Sequence, residues 1–396
     1  MDANDKCNKL GLYLFITFAT FVFFPNNLLG LWFNNLILIA GVLFLLIISY
    51  VYDCNGDNGV TRLVFIIPFL LILKYLYHFE EPLLRQSEFA RFMFYVASYI
   101  LFLKIFRLSC NLYRFVVVIL SLQVFVVFFQ VLDCSFMSSI YNSDKVGHAT
   151  SNYKQFRYTG TLFNPNTLGV FFVFCMSLMI NYTGRFKYYV VLLFLLFLSG
   201  SRTGFLIAAI SLLIYEFSCN LPIKRTIFSI VVFLASFLLM GIFLETFSND
   251  FYYFSQLSKV FREFFQGEGI SAFTQVTSLM LRFENWNMLI EEFYFGGPVV
   301  WFFGLPDIPI YRYADSSYIY VFTKFGIIFG LAFFFMLFSI YKLIISHCCE
   351  YENKRRVFLW FSFSLLSGIF SDILVSYYYW IMLITFPLLV NFNEKA

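Results

Sequence analysis

The chain has 396 residues, of which 61% are apolar, 23% aromatic and only 13% charged. Soluble domains carry roughly 25% charged residues, so this chain cannot cover a water-exposed fold of its length. A cytosolic enzyme, a secreted disulfide scaffold and a disordered chain are excluded, leaving an all-α polytopic membrane protein. The net charge is small, 27 basic against 23 acidic residues or +4, and no basic block points to nucleic acid.

A helix needs ~20 apolar residues to cross a bilayer, with a range of about 17–25. The apolar runs predict about 12 transmembrane helices, near 10–24, 30–51, 60–77, 90–106, 115–132, 161–183, 188–199, 203–217, 226–245, 315–343, 357–373 and 376–391. Several of these runs are short. The first follows Lys6 and Lys9 and has the outline of a signal peptide. It ends in Phe24-Pro25-Asn26-Asn27, with no small-residue cleavage site, and reads as an uncleaved span.

Basic residues in short loops set orientation. Lys6, Lys9, Lys104, Arg107, Arg114, Arg185, Lys187, Lys224, Arg225, Lys354, Arg355, Arg356 and Lys395 fall on one side if the spans alternate. That side reads as cytoplasmic and takes both termini. Cys7, Cys54, Cys110, Cys219, Cys348 and Cys349 fall on it too, and only Cys134 faces out, so no intramolecular disulfide is expected.

Three regions follow: an N-terminal bundle of about nine spans over 1–245, a large outward loop over 246–314, and about three C-terminal spans over 315–396. A second outward segment covers 133–160. Within the large loop, Phe251, Phe254, Leu257, Phe261 and Phe264 have helical spacing, and 272–293 predicts another helix stopped by Gly296-Gly297-Pro298. No internal repeat suggests the inverted halves of a transporter.

Four outward clusters carry candidate chemistry. At 157–169, Arg157 precedes Asn164-Pro165-Asn166. Pro165 disfavours helix at Asn164, so a helix is expected to begin at Pro165 with Asn164 as its cap. At 199–204, Arg202 follows Ser201 inside an otherwise apolar stretch, where an ionisable residue is a functional candidate by default. The alternative is a plain outer turn between two short spans. At 282–286, Arg282, Glu284 and Trp286 lie on one predicted helix, whose polar face also reads as plain solvation. Asp315 and Tyr318 open the tenth span, with Asp315 either a helix cap or a carboxylate held for proton transfer.

Arginine matches phosphate with a planar fork of donors, and these arginines need no metal to hold a diphosphate. The outward face has only His78 and His148, and no Ser/His/Asp arrangement or Walker-type loop. Chemistry on that face lacks ATP and requires an already activated substrate, such as a lipid-linked diphosphate sugar.

From Arg157 to Gly330, under half the chain, the sequence resembles the O-antigen polymerase and ligase superfamily. The residues that carry the resemblance are Arg157-x-x-Gly160-x-x-Phe163-Asn164-Pro165-Asn166-x-Leu168-Gly169, Ser199-Gly200-Ser201-Arg202 and Arg282-x-x-x-Trp286. The glycines at 296–304 follow, then Asp315-x-x-Tyr318 with Gly326 and Gly330. The resemblance implies an architecture like that of GT-C-like membrane glycosyltransferases, in a bacterial inner membrane. It implies polymerisation of undecaprenyl-diphosphate-linked repeat units into O-antigen or a related surface polysaccharide on the outer face, by transfer to the non-reducing end of another unit.

On that basis Arg157, Arg202 and Arg282 are assigned to the diphosphate, and Asp315 to the acceptor hydroxyl or general base. Asn164, Asn166, Ser201, Glu284, Trp286 and Tyr318 are assigned to substrate binding. No cofactor or metal is implied. Expected partners are the lipid-linked glycans, the lipid bilayer, a chain-length regulator and a flippase. Ligases of this type carry His-Asn where this chain has Asp315-Ser316, which favours the polymerase. Ligase and lipid-linked oligosaccharide flippase remain the alternatives.

Overall fold

The computed structural model describes residues 12–13, 16–20, 22–23, 31–51, 82–106, 113–132, 134, 136, 140–141, 160–162, 165–180, 185–199, 202–217, 277–305, 315–348 and 350–390. In chain order the helices are α1 (Leu31–Val51), α2 (Pro82–Ile105), α3 (Tyr113–Val131), α4 (Pro165–Met179), α5 (Arg185–Ser199) and α6 (Arg202–Phe217). They continue with α7 (Thr277–Phe295), α8 (Gly297–Phe303), α9 (Ser317–His347), α10 (Tyr351–Phe370) and α11 (Tyr377–Val390), the last two separated by a 3-10 turn at Ile373–Val375. Among the described residues there is no strand.

Local chemistry sets several boundaries. α4 starts at Pro165, whose missing N–H costs nothing at a first helical position. The break between α5 and α6 falls at residues 200–201, leaving Arg202 as the first residue of α6. Gly296-Gly297-Pro298 breaks the chain rather than stopping it, because α8 begins at Gly297. The predicted helix over 272–293 is observed as Thr277–Phe295. The amphipathic helix expected over 251–265 lies outside the described residues, as do the spans near 60–77 and 226–245.

The core is aromatic. Tyr95 of α2 stacks on Trp380 of α11 at 4.9 Å, and Phe333 of α9 packs edge-on to Tyr95 at 5.3 Å. Trp360 of α10 stacks on Phe386 of α11 and takes Phe174 of α4 edge-on. Such pairs are worth ~0.5–1.5 kcal/mol each beyond the area they bury.

Contacts at two opposite ends set the helix directions, with α2, α4, α6 and α9 running one way and α10 the other. At one end Arg91 in the first half of α2 reaches Tyr320 near the start of α9, and Ser317 bonds Ser371 beyond the end of α10. At the other, Phe106 meets His347 at 4.6 Å, and the Arg356 side chain donates to the Ile180 carbonyl at 2.8 Å. There too Arg355 lies 4.7 Å from the Tyr215 ring of α6.

Two glycines clamp α8 onto α9. α9 leaves helical geometry at Gly326 (φ 80°), and the chain after α8 turns at Gly304 (φ 83°). A Cβ at Gly304 would lie 2.2 Å from the Lys324 carbonyl oxygen, and one at Gly326 would lie 2.3 Å from that of Phe302. Between them the Leu305 N–H donates to the Thr323 carbonyl at 2.7 Å.

By length and composition, one helix among the described residues, Ser317–His347, can cross a membrane. Other apolar helices are shorter: α4 and α5 have 15 residues each. At 1.5 Å per residue such a helix rises about 22 Å, short of the ~30 Å hydrocarbon core. The surface is apolar along helical stripes. Ile327, Leu331, Phe335 and Phe338 are exposed on α9, and Val118, Leu122, Phe125 and Phe128 on α3.

The clamp yields a paired prediction. Gly297 also has positive φ, but a Cβ there meets nothing within 4 Å. Gly297→Ala should cost only the left-handed penalty, about 1–2 kcal/mol. Gly304→Ala and Gly326→Ala add backbone overlap and should cost several kcal/mol more, read as a lower thermal midpoint of the detergent-purified protein. Equal losses at all three positions would remove the clamp.

Candidate functional site

The end of the bundle where α9 starts gathers charge from distant segments. Arg282 projects from α7, and its Nε lies 3.3 Å from Asp315 Oδ2, just ahead of α9. Asp315 has φ 43°, and among the described residues no other non-glycine residue has a positive φ. Aspartate tolerates that conformation better than most residues, yet strain held at a charged contact is a reason to look for function there.

Behind Asp315, two serines lock the start of α9 to the turn after α10. The Ser317 N–H and hydroxyl both donate to the Ser371 carbonyl, each at 2.9 Å, and the same hydroxyl accepts from the Leu374 N–H at 3.0 Å. The Ser316 hydroxyl donates to the Gly368 carbonyl at 3.4 Å. Trp380 Nε1 donates to the Leu374 carbonyl at 2.9 Å, and the Tyr95 hydroxyl donates to the Val375 carbonyl. The turn is thereby braced from α2, α9 and α11.

That turn carries Asp372, which interacts electrostatically with Arg91 of α2. Arg91 Nη1 donates to the Tyr320 hydroxyl at 3.0 Å, and its guanidinium lies 5.8 Å and 5.7 Å from the Tyr320 and Tyr377 rings. Asp372 interacts electrostatically with Arg91, Asp315 and Arg282, so two arginines and two carboxylates from four segments share one neighbourhood.

The other sequence candidates fall in different places. Arg157, Asn164 and Ser201 lie outside the described residues. Arg202 is described by its backbone, as the first residue of α6, and Asn166 is half-buried in the first turn of α4. The far ends of these two helices lie at the opposite end of the bundle, against Arg355 and Arg356. Their starts therefore point toward the Arg282–Asp315 end. Glu284 is exposed on α7. Trp286 is buried, with Phe283 at 5.1 Å and Phe370 at 6.2 Å. Tyr318 stacks on Phe334 at 5.3 Å, and its hydroxyl donates to the Leu365 carbonyl at 2.9 Å. Both rings are engaged in packing.

The Gly160 motif has a local cause. Gln130 of α3 makes a two-way amide pair with Gly160, N–H to Oε1 and Nε2 to carbonyl, each 2.9 Å. Gln123, two turns earlier, takes the Thr161 N–H at 3.0 Å. Gly160 has φ 58°, and a Cβ there would lie 2.6 Å from Gln123 Oε1. The chain is thus fixed three residues after Arg157.

Sequence reasoning missed Arg91 and Asp372. The signal was present for Asp372, which is the sole charged residue from 357 to 393. An ionisable residue inside an apolar run is expensive and marks a site by default. Among the described residues, no group of three or more His, Cys, Asp or Glu can hold a metal ion. Compared with known proteins, the chain matches no protein-family model and no curated protein.

The ion pair separates function from stability. The side chains of Arg282 and Asp315 are 22% and 49% exposed. Pairs this accessible contribute ~0.2–1 kcal/mol, so Arg282→Ala should move the thermal midpoint by no more than about 3 °C. Asp315→Asn keeps a residue suited to left-handed backbone and should be as mild. A drop above about 10 °C in either would make the pair structural.

Proposed function

We propose that the chain is a membrane glycosyltransferase that polymerises undecaprenyl-diphosphate-linked oligosaccharide units on the outer face of a bacterial inner membrane. One observation carries the site: the starts of α4 and α6, which bear Asn166 and Arg202, lie toward the same end as the Arg282–Asp315 pair. This is the sidedness that the sequence motifs require. The apolar stripes on α3 and α9 support a lipid environment, because soluble monomers rarely expose contiguous apolar patches of more than a few hundred Å².

In this reading the donor diphosphate is held by Arg157, Arg202 and Arg282. The bond from the anomeric carbon to the phosphate oxygen breaks, and the guanidinium groups stabilise the charge left on that oxygen. Asp315 orients Arg282 before substrate arrives, and the diphosphate then competes with it for the same guanidinium. Freed from Arg282, Asp315 meets the acceptor glycan. Glu284, exposed two residues along α7 from Arg282, and Asn166 contact sugar hydroxyls. The buried Trp286 and the half-buried Tyr318 shape the floor of the site. Holding both glycans in line supplies proximity.

The test is the surface-glycan ladder of a strain deleted for this gene and complemented with variants. Deletion should leave core carrying a single repeat unit. Arg202→Lys keeps charge but loses the fork, and should cut polymer output ~100-fold with normal membrane insertion. Near-normal chain length would sink the phosphate clamp. Loss of all attached glycan with long lipid-linked polymer would instead indicate a ligase, and single units trapped on the inner leaflet a flippase.

Orientation has its own check. In a cysteine-free background, Glu284→Cys should react with an impermeant thiol reagent applied outside intact inner membranes, and Lys354→Cys should react only after permeabilisation. The reverse pattern would invert the topology.

A further inference from the structure

α7 and α8 carry an apolar surface that the mechanism above does not use. Phe295 is 79% exposed and Tyr294 65%, and Val299, Trp301 and Phe302 of α8 are exposed as well. The two helices meet at the Gly296-Gly297 break. There the Trp301 indole N–H donates to the Tyr294 carbonyl at 3.0 Å, and the two rings lie 6.3 Å apart. These side chains gather at one elbow. The exposed polar residues of α7 stand apart from it, because Glu284, Asn287 and Glu291 follow one another at helical spacing and end before the elbow.

The depth of the elbow follows from α9. Lys324 and Lys342 bracket residues 325–341, which carry no charge and rise about 25 Å, close to the ~30 Å of a hydrocarbon core. Gly326 stands at the outer limit of that run, packed against the Phe302 carbonyl, so α8 ends at the same limit. The exposed stripe of α9 begins at the next residue, Ile327, and continues through Leu331, Phe335 and Phe338. Elbow and stripe are therefore continuous. At its other end α7 brings Arg282 to Asp315, ahead of α9, and the helix from Ser317 to Gly326 rises about 14 Å. The charged end of α7 lies on the water side of its aromatic end.

We infer that the α7–α8 elbow inserts into the outer leaflet of the bilayer, with Phe295, Trp301 and Phe302 among the acyl chains, and that it anchors the helix carrying Arg282. The inference rests on the membrane reading given under Proposed function. Tryptophan and tyrosine gather at membrane interfaces, where one side of the ring is apolar and the other wet, and the elbow presents both. A soluble partner would cover only the outer part of a surface that runs on without a break into the α9 stripe. The exposed charges of α7, Glu284 and Glu291, are acidic, so insertion draws on apolar burial and needs no anionic headgroup.

The experiment places single nitroxide labels on cysteines introduced into the cysteine-free full chain, held in nanodiscs of phosphatidylcholine. Collisions with oxygen, which concentrates in lipid, are compared with collisions with a water-soluble nickel chelate. Labels at Phe295→Cys and Phe302→Cys should meet oxygen and not the chelate, about 5–10 Å inside the boundary between headgroups and acyl chains. Labels at Glu284→Cys and Glu291→Cys should meet the chelate. Should Phe302→Cys fail to fold, the exposed Val299→Cys carries the same expectation.

Chelate access at Phe295 and Phe302 overturns the inference, because the elbow then stands in water. Exclusion of both reagents also overturns it, because protein then covers the elbow, whether a second copy of the chain or another subunit. Labels at Leu331→Cys and Phe335→Cys separate these failures from that of the membrane reading. Oxygen access at the stripe leaves that reading standing whatever the elbow shows. Chelate access at the stripe removes it, and the inference falls with it.

Discussion

The carbonyl of Thr323 has to find a donor once Gly326 takes α9 out of helical geometry. It finds one in the Leu305 N–H at 2.7 Å. In an apolar environment an orphaned backbone group costs several kcal/mol, so the break in α9 and the docking of the chain after α8 are one event. Gly304 and Gly326 permit it because each sits against the other segment's backbone at a distance no side chain allows. The position of α7 depends on this joint. α8 is tied to α9 at its far end and to α7 through Gly296, and α7 carries Arg282 to Asp315.

The interior obeys the same accounting at other places. Gln123 and Gln130 satisfy the backbone of the 160–161 turn that no helix would satisfy. Ser317 uses its hydroxyl both as donor and acceptor between two helix ends. Arg356 reaches past its own helix to the Ile180 carbonyl at the end of α4. In each case a polar side chain on one helix closes a backbone group that another helix leaves open. The helices can therefore be apolar outside and still bury polar residues inside.

Sequence periodicity and punctuation made the helix starts at Pro165 and Arg202 legible, together with the break at Gly296-Gly297. These depend on backbone chemistry within a few residues. The pairing of Arg282 with Asp315 was foreshadowed only as shared sidedness, since 33 positions separate them and packing decides the contact. Trp286 and Tyr318 are assigned to substrate binding from sequence, and packing turns both rings toward neighbours. The neighbours are phenylalanines, Phe283 and Phe370 at Trp286 and Phe334 at Tyr318, which the sequence alone does not bring together. Arg91 escaped notice because its partners Tyr320 and Tyr377 are more than two hundred residues away, and no local pattern joins them.

Charge at this end of the bundle is balanced, because Arg91 and Arg282 share one electrostatic neighbourhood with Asp315 and Asp372. The two carboxylates are held differently. Asp315 pairs with Arg282 through side chains that are 49% and 22% exposed, so water competes for the contact. Asp372 sits in a turn that hydrogen bonds from Ser317, Trp380 and Tyr95 brace from three helices, so the backbone beneath it has little freedom to move. An exchangeable ion pair thus stands beside a fixed turn, and the fixed turn is what keeps the starts of α9 and α11 in register around the pair.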